Sequence, residues 1–299
     1  MEPFAPQSIL AATDFSDVSI GALRHAASWA QRFRAELVVL HAQEFLPITL
    51  DPLASYALPL GSCAEELQEA AREAARQQLE EAVRQYVPAD VRVSRALLCG
   101  APAEVIQEYG AAKHVGLVVL GTHGRAGIGR LLLGSVAERT LRVARHPALI
   151  IRPFPAHDAP EAAAPRVSHI LCPVNYSEVA RAAFEHASAV ARAFSARLTA
   201  AFTVEQEHPT AENVHSAEDR LRAWLHAESE AQCRIRAVVR HGNAAEQVIS
   251  MAREDAVDLV VIGAQHRRFV DTTVLGVTTV RVTRHAPCPV LVVPRFGGA

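Results

Sequence analysis

The chain repeats itself. His169 to Glu205 lies without a gap over Ser8 to Glu44, with 12 identities in 37 positions. Ile170 falls on Ile9, Ser177 on Ser16, His186 on His25, Phe194 on Phe33 and Leu198 on Leu37. Gly242 to Val293 then lies ungapped over Gly100 to Ile151, in a register that leaves the first copy 19 residues longer in its middle. Such a pattern is a tandem duplication, and each half is expected to build its own sheet. The 299 residues suit two domains of ~100–200 residues each. Residues 155–168 are rich in Ala and Pro and show no periodic face, so they read as a linker. The expected division is 1–154, linker 155–168, and 169–299.

Within the first half, short apolar runs alternate with amphipathic stretches. Ser8 to Asp14 reads as a buried strand ending in an acid. Ser16 is placed to cap a helix whose apolar face is Ala22, Leu23, Ala26, Ala30 and Phe33. Glu36 to Ala42 is a second strand. Ser62 and Glu65 form a capping-box pattern at the start of a long helix to Tyr86, with Leu67, Ala71, Ala74, Leu79 and Val83 on one side. Val91 to Leu98 is a third strand, Gly100-Ala101-Pro102 opens a helix, and Leu117 to Leu120 is a fourth strand. Ser135 to Ala144 is the last helix and Ala148 to Ile151 the fifth strand. This alternation predicts parallel βαβ units in a doubly wound α/β sheet. Ligands of such sheets sit at strand carboxyl ends, where both Asp14 and Gly121 fall.

Composition removes several classes. The chain is 50% hydrophobic and 21% charged, hence globular, and its net charge of −2 supplies no basic footprint for nucleic acid or anionic membrane. No apolar run approaches the ~20 residues of a bilayer span, and no signal peptide opens the sequence. The five cysteines are scattered, without C-x-x-C, as expected for reduced thiols in a cytoplasm. The 14 histidines show no metal-ligand spacing.

The chemistry concentrates after the fourth strand. Gly121-x-x-Gly124 is followed by nine residues and then Gly134-Ser135. Glycines that let the backbone approach a ligand, then amides and a hydroxyl at a helix start, are what a phosphate chain requires. Ser135 with Glu138 also fits a plain capping box. Asp14 either caps the next helix or contacts a base or ribose. Arg125 and Arg130 lie inside the loop, where they either clamp phosphates or stay solvated, and His123 offers a hydrogen bond. Gly129 to Gly134 has P-loop spacing, but Ser135 stands where the lysine belongs, and G-x-G-x-x-G after the first strand is absent. The second half keeps Gly263 and Gly276 but puts His266 on Gly124, Val277 on Ser135 and Asn175 on Asp14. Arg267 and Arg268 retain some charge there. It reads as a decayed copy.

Three stretches carry a family resemblance: Ile9-Leu10-Ala11-Ala12-Thr13-Asp14-Phe15-Ser16, the Gly-x-x-Gly-x9-Gly-Ser loop, and Gly134 to Arg139 with Pro147 to Ile151. In these the chain resembles the universal stress protein family along nearly its whole length, as a tandem two-domain member. The resemblance implies two Rossmann-like domains of the adenine-nucleotide α-hydrolase-like type, each a five-stranded parallel sheet flanked by helices. It also implies ATP, with Mg²⁺, in the first domain. Ala12, Thr13, Asp14 and Ala42 would line the adenosine end, with Leu120 and Gly121 beside the nucleotide. Gly124, Gly134, Ser135 and Val136 would hold the phosphates, and Arg125 joins them as the candidate clamp read from the loop itself. The family pairs subunits through the fifth strand. Here Ala148–Ile151 and Val290–Val293 are expected to pair within one chain as an intramolecular pseudo-dimer, with a further homodimer left open.

No residue set makes a nucleophile or general base, since G-x-S-x-G and a triad are both absent. The expectation is a binding protein of stress response or signalling that shows slow ATP hydrolysis at most and acts on a protein partner. An enzyme that adenylates with or cleaves ATP is the rival reading, and a nucleotide-free scaffold is the third.

Overall fold

Apolar runs too short for a helix become strands buried on both faces. In the computed structural model, which describes residues 4–44, 60–122, 133–153, 165–206, 208–228, 235–264 and 275–294, the first half contributes Ser8–Ala12 (β1), Glu36–Gln43 (β2), Val93–Cys99 (β3), Leu117–Gly121 (β4) and Ala148–Ile151 (β5). Its helices are Asp17–Phe33 (α1), Leu60–Tyr86 (α2), Pro102–Ala112 (α3) and Ser135–Arg142 (α4). The second half repeats the series as His169–Pro173 (β6), Glu178–Phe194 (α5), Arg197–Val204 (β7), Ala211–Glu228 (α6) and Ile235–His241 (β8). It continues with Ala244–Glu254 (α7), Leu259–Gly263 (β9), Val277–His285 (α8) and Val290–Val293 (β10).

The described residues form one ten-stranded sheet in the order β3-β2-β1-β4-β5-β10-β9-β6-β7-β8. Each half is a parallel five-stranded sheet of Rossmann-like order. The halves join where β5 runs antiparallel to β10, with Ile150 opposite Val290, Leu149 opposite Leu291 and Ala148 opposite Val292. The expected pairing of the two fifth strands inside one chain is therefore observed. Strand side chains alternate between two cores. Ile9, Ala11, Leu37, Val39, Leu149 and their counterparts face α1, α2, α5 and α6. Leu10, Val38, Leu40, Val118, Ile150 and theirs face α3, α4, α7 and α8. Both cores run unbroken through the seam between the halves.

Backbone exceptions recur in register with the sequence repeat. Phe15 (φ 64) answers Tyr176 (φ 61), Arg34 (φ 55) answers Ser195 (φ 56), and His114 (φ 50) answers Ala256 (φ 47). The two copies thus share their turns as well as their elements.

Several boundaries differ from the sequence reading. The first strand ends at Ala12, so Asp14 sits in the turn that follows it. The third strand starts at Val93 rather than Val91, and α4 stops at Arg142 rather than Ala144. Helix α2 starts at Leu60, which puts Ser62 inside the helix instead of at its cap. Its buried face is Ala75, Leu79, Ala82 and Val83, whereas Leu67 is 66% exposed and Ala71 and Ala74 are exposed as well. A helix of 27 residues is about 40 Å long at 1.5 Å per residue, while the longest strands span about 26 Å, so its first turns extend past the sheet. Of the expected linker 155–168, residues 155–164 lie outside the described residues. No helix among the described residues is long and apolar enough to cross a membrane.

Candidate functional site

In each half the strand order reverses beside the first strand, with β2 and β4 flanking β1, and β7 and β9 flanking β6. Strand ends that diverge in this way leave a crevice, where open α/β sheets take ligands. The chain leaves β1 through Thr13 and Asp14. Asp14 Oδ1 accepts from the Ser16 amide at 3.1 Å and from the Ser16 hydroxyl at 2.6 Å. Ser16 Oγ in turn accepts from the Ser19 amide at 3.4 Å and caps α1. Between them Phe15 is held in the left-handed region, which costs a bulky residue roughly 1–2 kcal/mol, and its ring lies 4.6 Å from that of His41. Thr13 Oγ1 accepts from the Phe15 amide at 3.0 Å and shares a 3.0 Å hydrogen bond with the Ser19 hydroxyl. His41 Nδ1 donates to the Thr13 carbonyl at 2.8 Å. A polar network therefore lies under the crevice on one side.

On the other side, β4 ends at Gly121. A Cβ added there would stand 3.0 Å from Val18 Cγ1 and 3.3 Å from the Ser19 amide nitrogen. The missing Cβ at Gly121 thus makes room for the first turn of α1, a reason the sequence argument did not contain. Beyond it, the Gly134 amide donates to the Thr122 carbonyl at 2.5 Å. That bond ties the two ends of the glycine-rich loop together and sets the start of α4 at the end of β4. Gly134 is the N-cap of α4, with no side-chain cap hydrogen bond. Ser135 is the exposed first helical residue, so the capping-box reading fails. Glu138 instead accepts from Arg142 at 2.8 Å and from Arg284 of the second half at 3.1 Å. Those guanidiniums, Arg142 first, hold its carboxyl below the usual range. The first amides of α4 are left without intrahelical partners.

The second half keeps this backbone and changes its side chains. Asn175 Oδ1 accepts from the Ser177 amide at 3.1 Å and the Ser177 hydroxyl at 2.6 Å, as Asp14 does from Ser16. The turn itself therefore needs one side-chain oxygen and no charge. Gly276 donates to Ala264 at 2.8 Å. Yet Thr13, Ser19 and His41 are answered by Val174, Ala180 and Phe202, so the polar network becomes apolar, with Tyr176 4.9 Å from Phe202. Val277, in place of Ser135, is 72% exposed.

The sequence profile of the Universal stress protein family matches residues 6–152 and again 167–294. The chain belongs to the universal stress protein family. A universal stress protein of Methanocaldococcus jannaschii is 32% identical over 146 residues, covering 49% of this chain and 82% of its own length. One from Thermus aquaticus is 32% identical over 147 residues, covering 49% and 98%. The crystal structure of a universal stress protein from Archaeoglobus fulgidus superposes with a TM-score of 0.64 at 20% identity, covering 97% of this chain and 98% of that one. That likeness extends over both halves and shows the tandem fold.

In this universal stress protein the expected site residues gather at one end of the first sheet. Thr13 is buried; Ala12, Asp14, Ala42, Gly121, Gly134 and Val136 are half-buried; Ser135 is exposed. Leu120 is only 3% exposed, so it underlies the crevice rather than lining it. Gly124 and Arg125, with His123 and Arg130, lie outside the described residues. Sequence reasoning missed Phe15, Ser19 and His41. The signal that could have found Ser19 and His41 was present, because their polarity changes together with that of Thr13 between the copies. Among the described residues no group of three His, Cys, Asp or Glu side chains could hold a metal ion.

Proposed function

We propose that this universal stress protein binds ATP with Mg²⁺ at one site, the crevice between β1 and β4, and passes its nucleotide state to a protein partner in a stress response. The observation that carries the reading is the polar group of Thr13, Ser19 and His41 beside the uncapped helix start that the Gly134–Thr122 bond brings to the switch point of the sheet. The second half keeps the helix start but has Val174, Ala180 and Phe202 in place of the polar group and Val277 in place of Ser135. Backbone amides at such a start favour anions, by about 0.3–1 kcal/mol at the surface and up to ~2 where partly buried. In this reading Gly134, Ser135 and Val136 hold phosphate oxygens, with Gly124 and Arg125 from the loop. Asp14 accepts from the sugar or base while its Oδ1 keeps the turn. Ala12, Thr13 and Ala42 flank the adenosine end. Mg²⁺ arrives on the triphosphate, as it does in many phosphate sites, with few protein ligands. In this reading the role is binding, with slow hydrolysis at most.

The test is calorimetric titration of the full chain with ATP and Mg²⁺, beside Gly124→His combined with Ser135→Val, which writes the second half's residues into the first. One site per chain, lost in the double variant, is the expected result. Absence of heat in the parent, or two equivalent ATP sites, counts against the reading.

A further inference from the structure

The two copies also differ at the amino ends of their strands, at the far end of the sheet from the crevices. A cavity of about 400 Å³ opens there in the second half, lined among others by His169, Arg197, Thr199, Ile235, Arg236 and Asp255. Small-molecule pockets run from about 300 to 1,000 Å³, so this space suits a small organic molecule. His169 opens β6, Arg197 opens β7 and Ile235 opens β8, while Asp255 follows α7. Thr199 pairs in register with Arg236 and shares a strand face with Arg197, two residues before it.

The floor is polar although it is buried, which is tolerable only with its hydrogen bonds made. His169 Nδ1 donates to the Asp255 carbonyl at 3.2 Å, which leaves Nε2 to accept from the Thr199 hydroxyl at 2.9 Å. Burial lowers the pKa of the ring, against the bond to Asp255, and the nearby charge of Arg197 acts with burial. The rim is cationic. Arg197 Nη2 donates to the same Asp255 carbonyl at 3.3 Å and forms no ion pair among the described residues. Arg236 Nη1 lies 3.7 Å from Asp255 Oδ2. Two guanidiniums therefore converge on one residue that carries one carboxylate. Glu254, also at the cavity, is taken by Arg240 at 3.0 Å and by the Ser250 hydroxyl at 2.7 Å.

In the first half these positions hold Ser8, Glu36, Val38, Ser94 and Lys113, and the Ser94 hydroxyl donates to Glu36 at 3.0 Å. Exchanging Glu36 and Lys113 for Arg197 and Asp255 keeps the balance of charge, and Arg236 adds one positive charge. The fold does not require the buried polar floor or the surplus guanidinium, since the first copy forms the same elements without them.

We infer that this cavity is a site for a small organic acid, whose carboxylate or phosphate oxygens are held between the Arg197 and Arg236 guanidiniums. The paired N–H donors of a guanidinium match either oxyanion. The rest of the ligand lies along Ile235 over the floor of His169 and Thr199. Every residue invoked belongs to the second half and to the opposite end of the sheet, so the site stands apart from the ATP reading of the first.

Methyl-resolved NMR of the full chain tests it, with succinate and glycerol 3-phosphate as probes and sodium chloride of matched ionic strength as the control. Either acid at millimolar concentration is expected to shift the methyls of Ile235 and Leu198, both at the cavity. Ile262 and Leu120, near the carboxyl ends of β9 and β4, are expected to stay in place. Arg197→Glu with Arg236→Ser writes the first half's residues into two exposed positions and is expected to weaken binding about tenfold or more. Arg197→Gln, which leaves Arg236 beside Asp255, repeats the test with a smaller change. A response to succinate alone identifies a carboxylate head and one to glycerol 3-phosphate alone a phosphate head, and either supports the site. The inference is overturned if neither acid moves Ile235 more than sodium chloride does, if both ends of the sheet respond alike, or if the variants bind like the parent.

Discussion

Thr13 and Ser19 share a buried hydrogen bond at 3.0 Å, and the second copy replaces both members at once, by Val174 and Ala180. A pair that changes together acts as a unit. Thr13→Val alone removes the acceptor of the Phe15 amide and one partner of Ser19, which is expected to cost about 1–3 kcal/mol. Adding Ser19→Ala should return part of that loss, because the pair then matches an arrangement the chain already uses. Denaturant unfolding of the two single variants and the double variant gives the coupling. Strict additivity would mean that the two hydroxyls are independent. His41 belongs to the same group. Its bond to the Thr13 carbonyl fixes the ring beside Phe15, and Phe202 keeps the ring contact without the bond.

At the scale of elements, the seam of β5 and β10 joins the halves. Ala148 to Ile151 and Val290 to Val293 are at most 1% exposed, with Leu149 opposite Leu291. Leu291→Ala should lower unfolding free energy by about 2–5 kcal/mol. Leu67→Ala on the protruding part of α2 should change it by less than about 0.5 kcal/mol. Equal effects in a denaturant titration would contradict the burial described for these helices and strands. The elements differ in how far they could be read beforehand. Central strands were plain because parallel strands covered by helices on both faces are unbroken apolar runs. Helix α2 was misjudged because a periodic face says nothing about how far the sheet extends beneath it. Ser62 and Ser135 both begin capping-box patterns, and neither caps: α2 starts earlier, and Glu138 is drawn to two arginines. The room that Gly121 leaves is taken by Val18, a neighbour that only the folded chain brings near. Phe15 could not be read as a left-handed residue, since no sequence rule assigns an aromatic side chain there.

For the whole molecule, His25 of α1 and His186 of α5 occupy equivalent positions in the two copies. Their helices meet through Trp29 and Phe194, whose rings are 5.4 Å apart. Burial pushes His25 down to about 4, and burial also lowers His186 against the bond from its Nδ1 to the Ala182 carbonyl. The unfolded chain protonates these rings near pH 6.5, while the folded chain takes up the His25 proton only near 4. Stability is therefore complete above about pH 6.5 and falls on acidification towards 4, by about 2–3 kcal/mol for His25. Glu138, with its carboxyl held low by Arg142 and Arg284, acts in the same direction at the acid end. Melting temperature followed from pH 7.5 to 4.5 should decline, and His25→Gln should flatten the curve; a level profile in the parent would refute the assignment.

In a true two-fold pair every contact occurs twice. Here Arg284 meets Glu138 at 3.1 Å across the seam, while the mirror positions hold Arg142 and Val280, so the contact occurs once. Covalent linkage keeps the second copy at an effective concentration of roughly millimolar or more, and no surface has to be complementary to itself. A substitution that would be imposed on both members of a homodimer is here confined to one. Fusion thereby permits a division of labour, in which one copy can trade hydroxyls for apolar groups under its crevice while the other keeps them.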